Sequence, residues 1–387
     1  MVGCVVALSY AWGPSAAADA GWSIQPTPNA PGATSSSLQG VSCPNRGVCT
    51  AVGFAATGGS SRPLAERWDG GTWAIQPTPA IPGPGGLRAV SCPHANVCMA
   101  VGDLQAADFN SVTLAERWDG SRWTIVPSPT PGPPSPGATV ASVSCPTRRS
   151  CVAVGYGGSP VELTLALHWN GVRWSIVPTR DPPGTTFSAF SAVSCTAPDA
   201  CTAVGSVITP SGRKALVERW DGRTWEIQAT PAPPGPTDWS LFGVSCTTQR
   251  LCTATGATLL PNGEAGSPLA ERWEGSTWQL QPTPNHPGGE PSGLGEVSCP
   301  TPRACTALGG YRQSPGVYPS FTERWDGSGW SVQHIATLPP PLVAGLSSVS
   351  CPGPRVCTTV GLSFTPLPDP TQEVIFSTLA ERFSAGP

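Results

Sequence analysis

The sequence is short of charge. Only 12% of its 387 residues are Asp, Glu, Lys or Arg, about half the share usual in soluble domains, and Lys214 is the one lysine. With a formal net charge of -3, composition provides neither a basic tract for nucleic acid nor a polybasic segment for an anionic membrane. The four histidines (94, 168, 286, 334) share no spacing, which leaves little for a zinc site. The apolar stretch at residues 2–12 is too short to span a bilayer. Uninterrupted helical segments are missing as well. Forty-seven prolines exclude a helical bundle or a βαβ alternation, because each interior proline removes a helix hydrogen bond and clashes with the preceding turn. What the chain has in quantity is 45 Gly, 47 Pro, 15 Trp and 15 Cys. So much Gly and Pro marks low complexity unless the Trp and Cys are regularly placed.

They are. The segment 2–12 and the small-residue run Ser15–Ala20 have the form of a secretory h-region and cleavage site, so residues 1–20 are expected to be a signal peptide and 21–387 one domain. Removing the signal removes Cys4. Fourteen cysteines then remain as seven Cys-x5-Cys pairs: Cys43 with Cys49, Cys92 with Cys98, Cys145 with Cys151, Cys195 with Cys201, Cys246 with Cys252, Cys299 with Cys305, and Cys351 with Cys357. An even set in an exported chain points to disulfides. First cysteines recur at intervals of 49, 53, 50, 51, 53 and 52 residues. Between them runs a second signature, two tryptophans five apart, from Trp68 and Trp73 to Trp325 and Trp330.

Each unit reads Val-Ser-Cys-x5-Cys-Thr-Ala-Val-Gly, a variable segment, Leu-Ala-Glu-Arg-Trp-Asp-Gly-x-x-Trp-x-Ile-Gln-Pro-Thr-Pro, and a Pro/Gly linker. Four short strands are predicted per unit: Leu38–Cys43, Cys49–Gly53, Leu64–Trp68 and Trp73–Gln76 in the first. The x5 connection forms a hairpin that brings its cysteines face to face, and Asp-Gly is a hairpin turn. Proline then ends the fourth strand. Seven four-stranded antiparallel units with a period near 50 predict an all-β, seven-bladed β-propeller. The chain begins with a lone fourth strand, Gly21–Pro28, and ends with a lone third strand, Leu379–Phe383. Joined in one blade, they close the ring and remove two exposed edges.

On these Trp-Asp-Gly-x-x-Trp repeats the chain resembles the secreted bacterial β-propellers built from that motif. It is more loosely similar to kelch, WD40 and Asp-box propellers, although its turn is one residue shorter than an Asp-box. The resemblance covers residues 21–387.

Residues repeated in every blade are expected to be structural, since one active site requires asymmetry. The Glu-Arg pair of the third strand, Glu66 with Arg67 and its equivalents, is expected to pair between blades, and the Trp pairs to fill the space between them. Blade 3 departs with Leu167-His168, so one joint should be apolar or weaker. Variation is concentrated between the second Cys and the first Trp, 18 to 21 residues in blades 1–6 and 26 to Phe383 in the last. It also falls in the linkers between blades. Both emerge on one face, where binding or catalysis should lie.

From that face we select Trp239, Asp238, Tyr311, Arg312, Tyr318 and Asp181 as candidate ligand-binding residues, the aromatics for stacking and the others for hydrogen bonds. Further singular residues are Asp103, Asp108, Phe109, Tyr156, Glu162, Arg180, Arg213, Lys214, Glu264, His286, Glu290, Asp369 and Glu373. No nucleophile elbow, zincin helix or phosphate loop is present, and no metal or cofactor is expected. The leading expectation is a secreted or cell-surface, monomeric, non-enzymatic binding or adhesion propeller for an extracellular glycan or protein. The alternatives are a carbohydrate-active hydrolase or lyase with two carboxylates at the channel mouth, and a purely structural repeat protein.

Overall fold

The computed structural model describes residues 21–131, 137–158, 160–235, 238–289, 291–314, 317–366 and 375–385. The expected signal peptide with Cys4 lies outside them, as do Glu290, Asp369 and Glu373. The described residues form 28 strands in seven four-stranded antiparallel sheets, with no helix among them. In blade 1 the strands run outward in chain order as Ser35–Asn45, Val48–Thr57, Ser60–Trp68 and Trp73–Gln76. Blades 2–6 repeat this arrangement. The seventh takes Val343–Gly353, Val356–Phe364 and Phe376–Ser384 from one end of the chain and Gly21–Gln25 from the other, Gly21 lying opposite Ser384. Trp22 and Phe383 meet across that joint with ring centroids 5.5 Å apart, where Trp68 and Trp73 of blade 1 lie at 5.9 Å.

All seven Cys-x5-Cys pairs are disulfides, each closing the hairpin between the first and second strands of its own blade. Cys43 bonds to Cys49, Cys92 to Cys98, Cys145 to Cys151 and Cys195 to Cys201. Cys246 bonds to Cys252, Cys299 to Cys305 and Cys351 to Cys357. The expected local pairing therefore holds in every blade, and no bridge among the described residues joins one blade to another.

Much of the segment read from sequence as a variable loop is strand. In blade 1 the second and third strands continue to a two-residue turn at Gly58-Gly59, whose φ angles of +57° and +81° suit glycine and match the strand twist. The invariant Gly of Val-Gly has another cause. A Cβ on Gly53 would fall 2.0 Å from the carbonyl oxygen of Ser37, beside a bulge in the innermost strand between Leu38 and Gly40.

The repeated polar residues hold blade to blade. The Ser of Val-Ser-Cys accepts a hydrogen bond from the backbone N–H of the first Cys of the next blade at 2.9–3.0 Å, seven times round the ring, with Ser350 and Cys43 closing it. Each contributes about 1 kcal/mol.

The third-strand arginines also cross the joints, but not to glutamate. Arg219 Nη2 donates to the Gln249 carbonyl at 2.6 Å and its guanidinium lies 4.7 Å from the Trp273 ring centroid. Arg67, Arg272, Arg324 and Arg382 likewise reach a carbonyl and a Trp or Phe of the following blade. The expected Glu-Arg pairing between blades is therefore corrected. Adjacent strand residues point to opposite faces, so the glutamate turns away from its arginine.

Glu66, Glu116, Glu218, Glu271, Glu323 and Glu381 are all fully buried. Glu218 accepts from the Arg180 N–H at 3.1 Å and Glu381 from the Ala336 N–H at 3.0 Å. At the same place in the linkers that face the other four glutamates stand Pro28, Pro79, Pro231 and Pro284, which have no N–H to give. Both carboxyl oxygens of Glu66, Glu116, Glu271 and Glu323 accordingly lack a partner. Burial pushes these four up to about 8, so they are carboxylic acids at neutral pH. In blade 3 the buried residue is Leu167, and His168 takes the arginine's place against Trp220, ring centroids 6.4 Å apart. Leu167 turns the other way, into the core with Met99, Val101 and Ala115 of blade 2, so the joint between blades 2 and 3 is apolar at this position, as expected.

Candidate functional site

Because the blades repeat, a site shows as a departure within a structural column. The residue four before the first Cys sits at the bulge of each innermost strand, and the seven of them line the central channel, a cavity of about 320 Å³. They are Gln39, Arg88, Ala141, Ser191, Phe242, Gly295 and Ser347. The residue five after the second Cys follows the invariant Gly on the second strand. There the chain carries Phe54, Asp103 and Tyr156 in blades 1–3, and Ser206, Ala257, Gly310 and Leu362 in blades 4–7. Gln39 and Arg88 of the first column and Phe54, Asp103 and Tyr156 of the second fall in the sector of blades 1–3, while Phe242 stands apart in blade 5.

In that sector a cleft of about 420 Å³ runs between blades 1 and 2, lined by Gln39, Phe54, Leu87, Arg88, Asp103, Gln105, Phe109 and Ser111 among others. It shares Gln39 and Arg88 with the channel. Its floor is backbone. Gly85 and Gly86 carry no side chain, and a Cβ on Gly86 would fall 2.8 Å from that of Phe54. Arg88 forms a side-on pair with Asp103, Nε to Oδ1 and Nη2 to Oδ2. Ser111 Oγ also donates to Asp103 Oδ2 at 3.4 Å. The Asp103 hydrogen bond pushes the guanidinium above its usual range against the opposing effect of burial. Half the Arg88 side chain remains exposed, at 49%.

Phe109 forms one wall. It is 80% exposed and has φ +65°, alone among the described non-glycine residues in being positive. A short turn holds it there. Phe109 N–H donates to the Ala106 carbonyl at 3.0 Å and Ala106 N–H to that of Asn110 at 2.8 Å, while Asp108 accepts from both the backbone and the side chain of Asn110. A left-handed phenylalanine costs on the order of 1–3 kcal/mol, and its ring gains no burial in return.

The residues selected from sequence do not meet in one place. Trp239 is buried, 7% exposed, in the core with Leu241 and Leu269, and the Lys214 ammonium lies 4.4 Å from its ring centroid. Its ring is therefore a packing element and not an open stacking surface. Asp238 accepts from the Arg213 N–H at 3.2 Å. Asp181 accepts from the hydroxyls of Ser188 and Thr164 between blades 3 and 4. Arg312 and Tyr318 do converge, both donating to Glu264, at 2.7 and 3.2 Å. Tyr311 points elsewhere, stacked on His286 with centroids 3.7 Å apart.

Sequence reading singled out Asp103, Phe109 and Tyr156 but missed Gln39, Phe54 and Arg88. Comparing the repeats column by column, counting from the cysteines, would have exposed all three. Among the described lining residues Asp103 is the one carboxylate of the cleft, and Glu296 that of the channel. Burial pushes Glu296 up to about 7, and it accepts from the Val349 N–H at 2.9 Å.

No protein-family profile matches the sequence, and no curated protein matches it. Solved structures do share the fold. The GH74 xyloglucanase from Xanthomonas campestris superposes with a TM-score of 0.52 at 14% identity over 92% of this chain, which spans 55% of the length of that enzyme. The phage phi92 endosialidase gives a TM-score of 0.51 at 11% identity over 95% of this chain and 69% of its own. SapL1 lectin, solved with alpha methyl fucoside, gives 0.46 at 14% identity over 78% and 96%. At these identities the likeness is one of architecture, a β-propeller.

Proposed function

We propose that the chain is an extracellular binding propeller that takes a carbohydrate in the cleft between blades 1 and 2. The observation that carries this reading is Phe109, an exposed ring held in a strained conformation beside the Arg88–Asp103 pair. Strain that gains no packing is a sign of use. A sugar ring has an apolar face for an aromatic and a hydroxyl edge for a fixed donor–acceptor pair. Phe54 and Phe109 offer the first; Arg88, Asp103, Gln39 and Gln105 offer the second. Because Asp103 neutralises Arg88, the cleft suits an uncharged ligand.

A binding role is favoured over hydrolysis because acid–base cleavage of a glycoside uses two carboxyl groups. One lines the cleft among the described residues, and it is committed to Arg88. The seven disulfides fit an oxidising, extracytoplasmic location.

A glycan array with the purified protein beside Phe109→Ala and Arg88→Ala tests this reading. Loss of an exposed aromatic that becomes buried by ligand should weaken binding roughly tenfold or more. Loss of Arg88 should cost a further hydrogen-bonding pair and leave Asp103 uncompensated. Undiminished binding by both variants would overturn the site.

A further inference from the structure

The two faces of the ring differ in charge as well as in sequence. On the regular face, the turn glycine of each Trp-Asp-Gly or equivalent hairpin rests against the Cys-x5-Cys turn of its own blade, as Gly70 does on Gly47, Gly275 on Arg250 and Gly327 on Arg303. The two sets of turns therefore make one surface. The disulfide turns expose Arg46, Arg148, Arg149, Arg250, Arg303 and Arg355, and the Trp-Trp turns expose Arg122, Arg173 and Arg223. Beneath them the half-buried third-strand arginines reach the same turns through carbonyl bonds.

The acids of this face are fewer, and four of them are engaged by their own turns. Asp69, Asp119, Asp221 and Asp326 accept the backbone N–H groups of their own turns, and Asp199 and Glu274 complete the set. The described ion pairs on this face are Arg122–Asp119 at 3.8 Å and Arg272–Glu274 at 3.4 Å. The overall charge of -3 conceals this, because six of the carboxyl groups it counts lie inside the blades. The opposite face has no such excess. There Arg62, Arg88, Arg180, Arg213, Lys214 and Arg312 are matched by Asp103, Asp108, Glu162, Asp181, Asp238 and Glu264, and Arg180 pairs besides with Glu226 of the fourth strand at 3.0 Å.

We infer that the regular face is a second binding surface, for an acidic polysaccharide. Arg250, Arg303, Arg355 and Arg46 stand in the disulfide turns of four consecutive blades (5, 6, 7 and 1), one guanidinium per blade along an arc of the ring. A polymer with an anionic group on successive sugars can follow such an arc, and guanidinium matches carboxylate and sulfate in a bidentate way. A membrane is the poorer fit, because Val172 is the one large apolar side chain the described turns of this face expose, and an interfacial anchor needs more apolar area.

The test measures binding of the full chain to polygalacturonate and to dextran sulfate at 50 and 300 mM salt. Phosphatidylglycerol vesicles and double-stranded DNA serve as competing anions. Binding to the polysaccharides that weakens at least tenfold between the two salt conditions, and at least tenfold in an Arg46→Gln/Arg250→Gln/Arg303→Gln/Arg355→Gln variant, is the expected result. Phe109→Ala should leave it unchanged, which separates this surface from the cleft. Failure to bind either polysaccharide, equal affinity in the fourfold variant of unchanged melting temperature, or tighter binding to vesicles or DNA would each overturn the proposal.

Discussion

The buried glutamates make the ring an acid-preferring structure, and Glu271→Gln tests this. In the folded protein Glu271 titrates at about 8, pushed up by burial; in the unfolded chain it returns to about 4.3. Between those values the folded state holds a proton that the unfolded state has released, so stability falls as pH rises through this window. The slope is about 1.4 kcal/mol per pH unit for one such group, and the fall is complete only above pH 8. Over the whole window one group accounts for about 5 kcal/mol. Glutamine keeps the shape without a proton to lose, so the variant should lose one group's share of the slope and gain stability toward pH 8. Denaturant unfolding at intervals between pH 4.5 and 8.5, disulfides intact, measures both slopes. Glu381→Gln is the internal comparison: the Ala336 N–H already stabilises that carboxylate, which sits at about 7, so its change should end about one pH unit earlier. Parallel profiles for wild type and Glu271→Gln would refute the reasoning, because Glu271 would then be ionised in the folded state.

Three further outcomes follow from the packing. Phe109→Gly should raise stability by about 1 kcal/mol, by releasing the left-handed strain, while weakening glycan binding as Phe109→Ala does; thermal melting beside the array separates the two effects. Trp239→Ala should lower stability by roughly 3–5 kcal/mol, as for a buried aromatic, without altering ligand preference in whatever protein folds. Ser245→Ala leaves the Cys299 N–H without its acceptor in the preceding blade and should cost about 1–3 kcal/mol. Amide exchange at Cys299 should rise more than at its neighbours.

The ring was legible because its causes are local and repeated. A five-residue hairpin between cysteines, an Asp-Gly turn and a proline stop each act within a few residues, and seven copies reveal the period. Even the closure by Gly21–Gln25 could be read, since each end lacks what the other carries. The fate of the charges could not. Whether Glu66 meets Arg67's counterpart or an apolar wall depends on which face of the strand it occupies and on the proline of the preceding linker, Pro28. Trp239 misled for a related reason. Standing outside the Trp-x4-Trp motif looked like freedom to bind, but its place in the innermost strand is inside the core. Arg88 and Gln39 passed unnoticed because they sit within the regular part of the repeat, where only a comparison between blades gives a residue meaning.

The seventh blade also sets an order of events. Its outermost strand is the first described segment of the chain and its neighbour, Phe376–Ser384, the last. The Cys43–Ser350 bond beside it spans 307 residues. During synthesis the six blades in between can form as each hairpin emerges, but Gly21–Gln25 must wait with its hydrogen-bonding edge unpaired until Phe376–Ser384 has been made. The molecule is thus most exposed to mispairing with another copy of itself while that strand is missing, and Phe376–Ser384 acts as the latch that ends the interval.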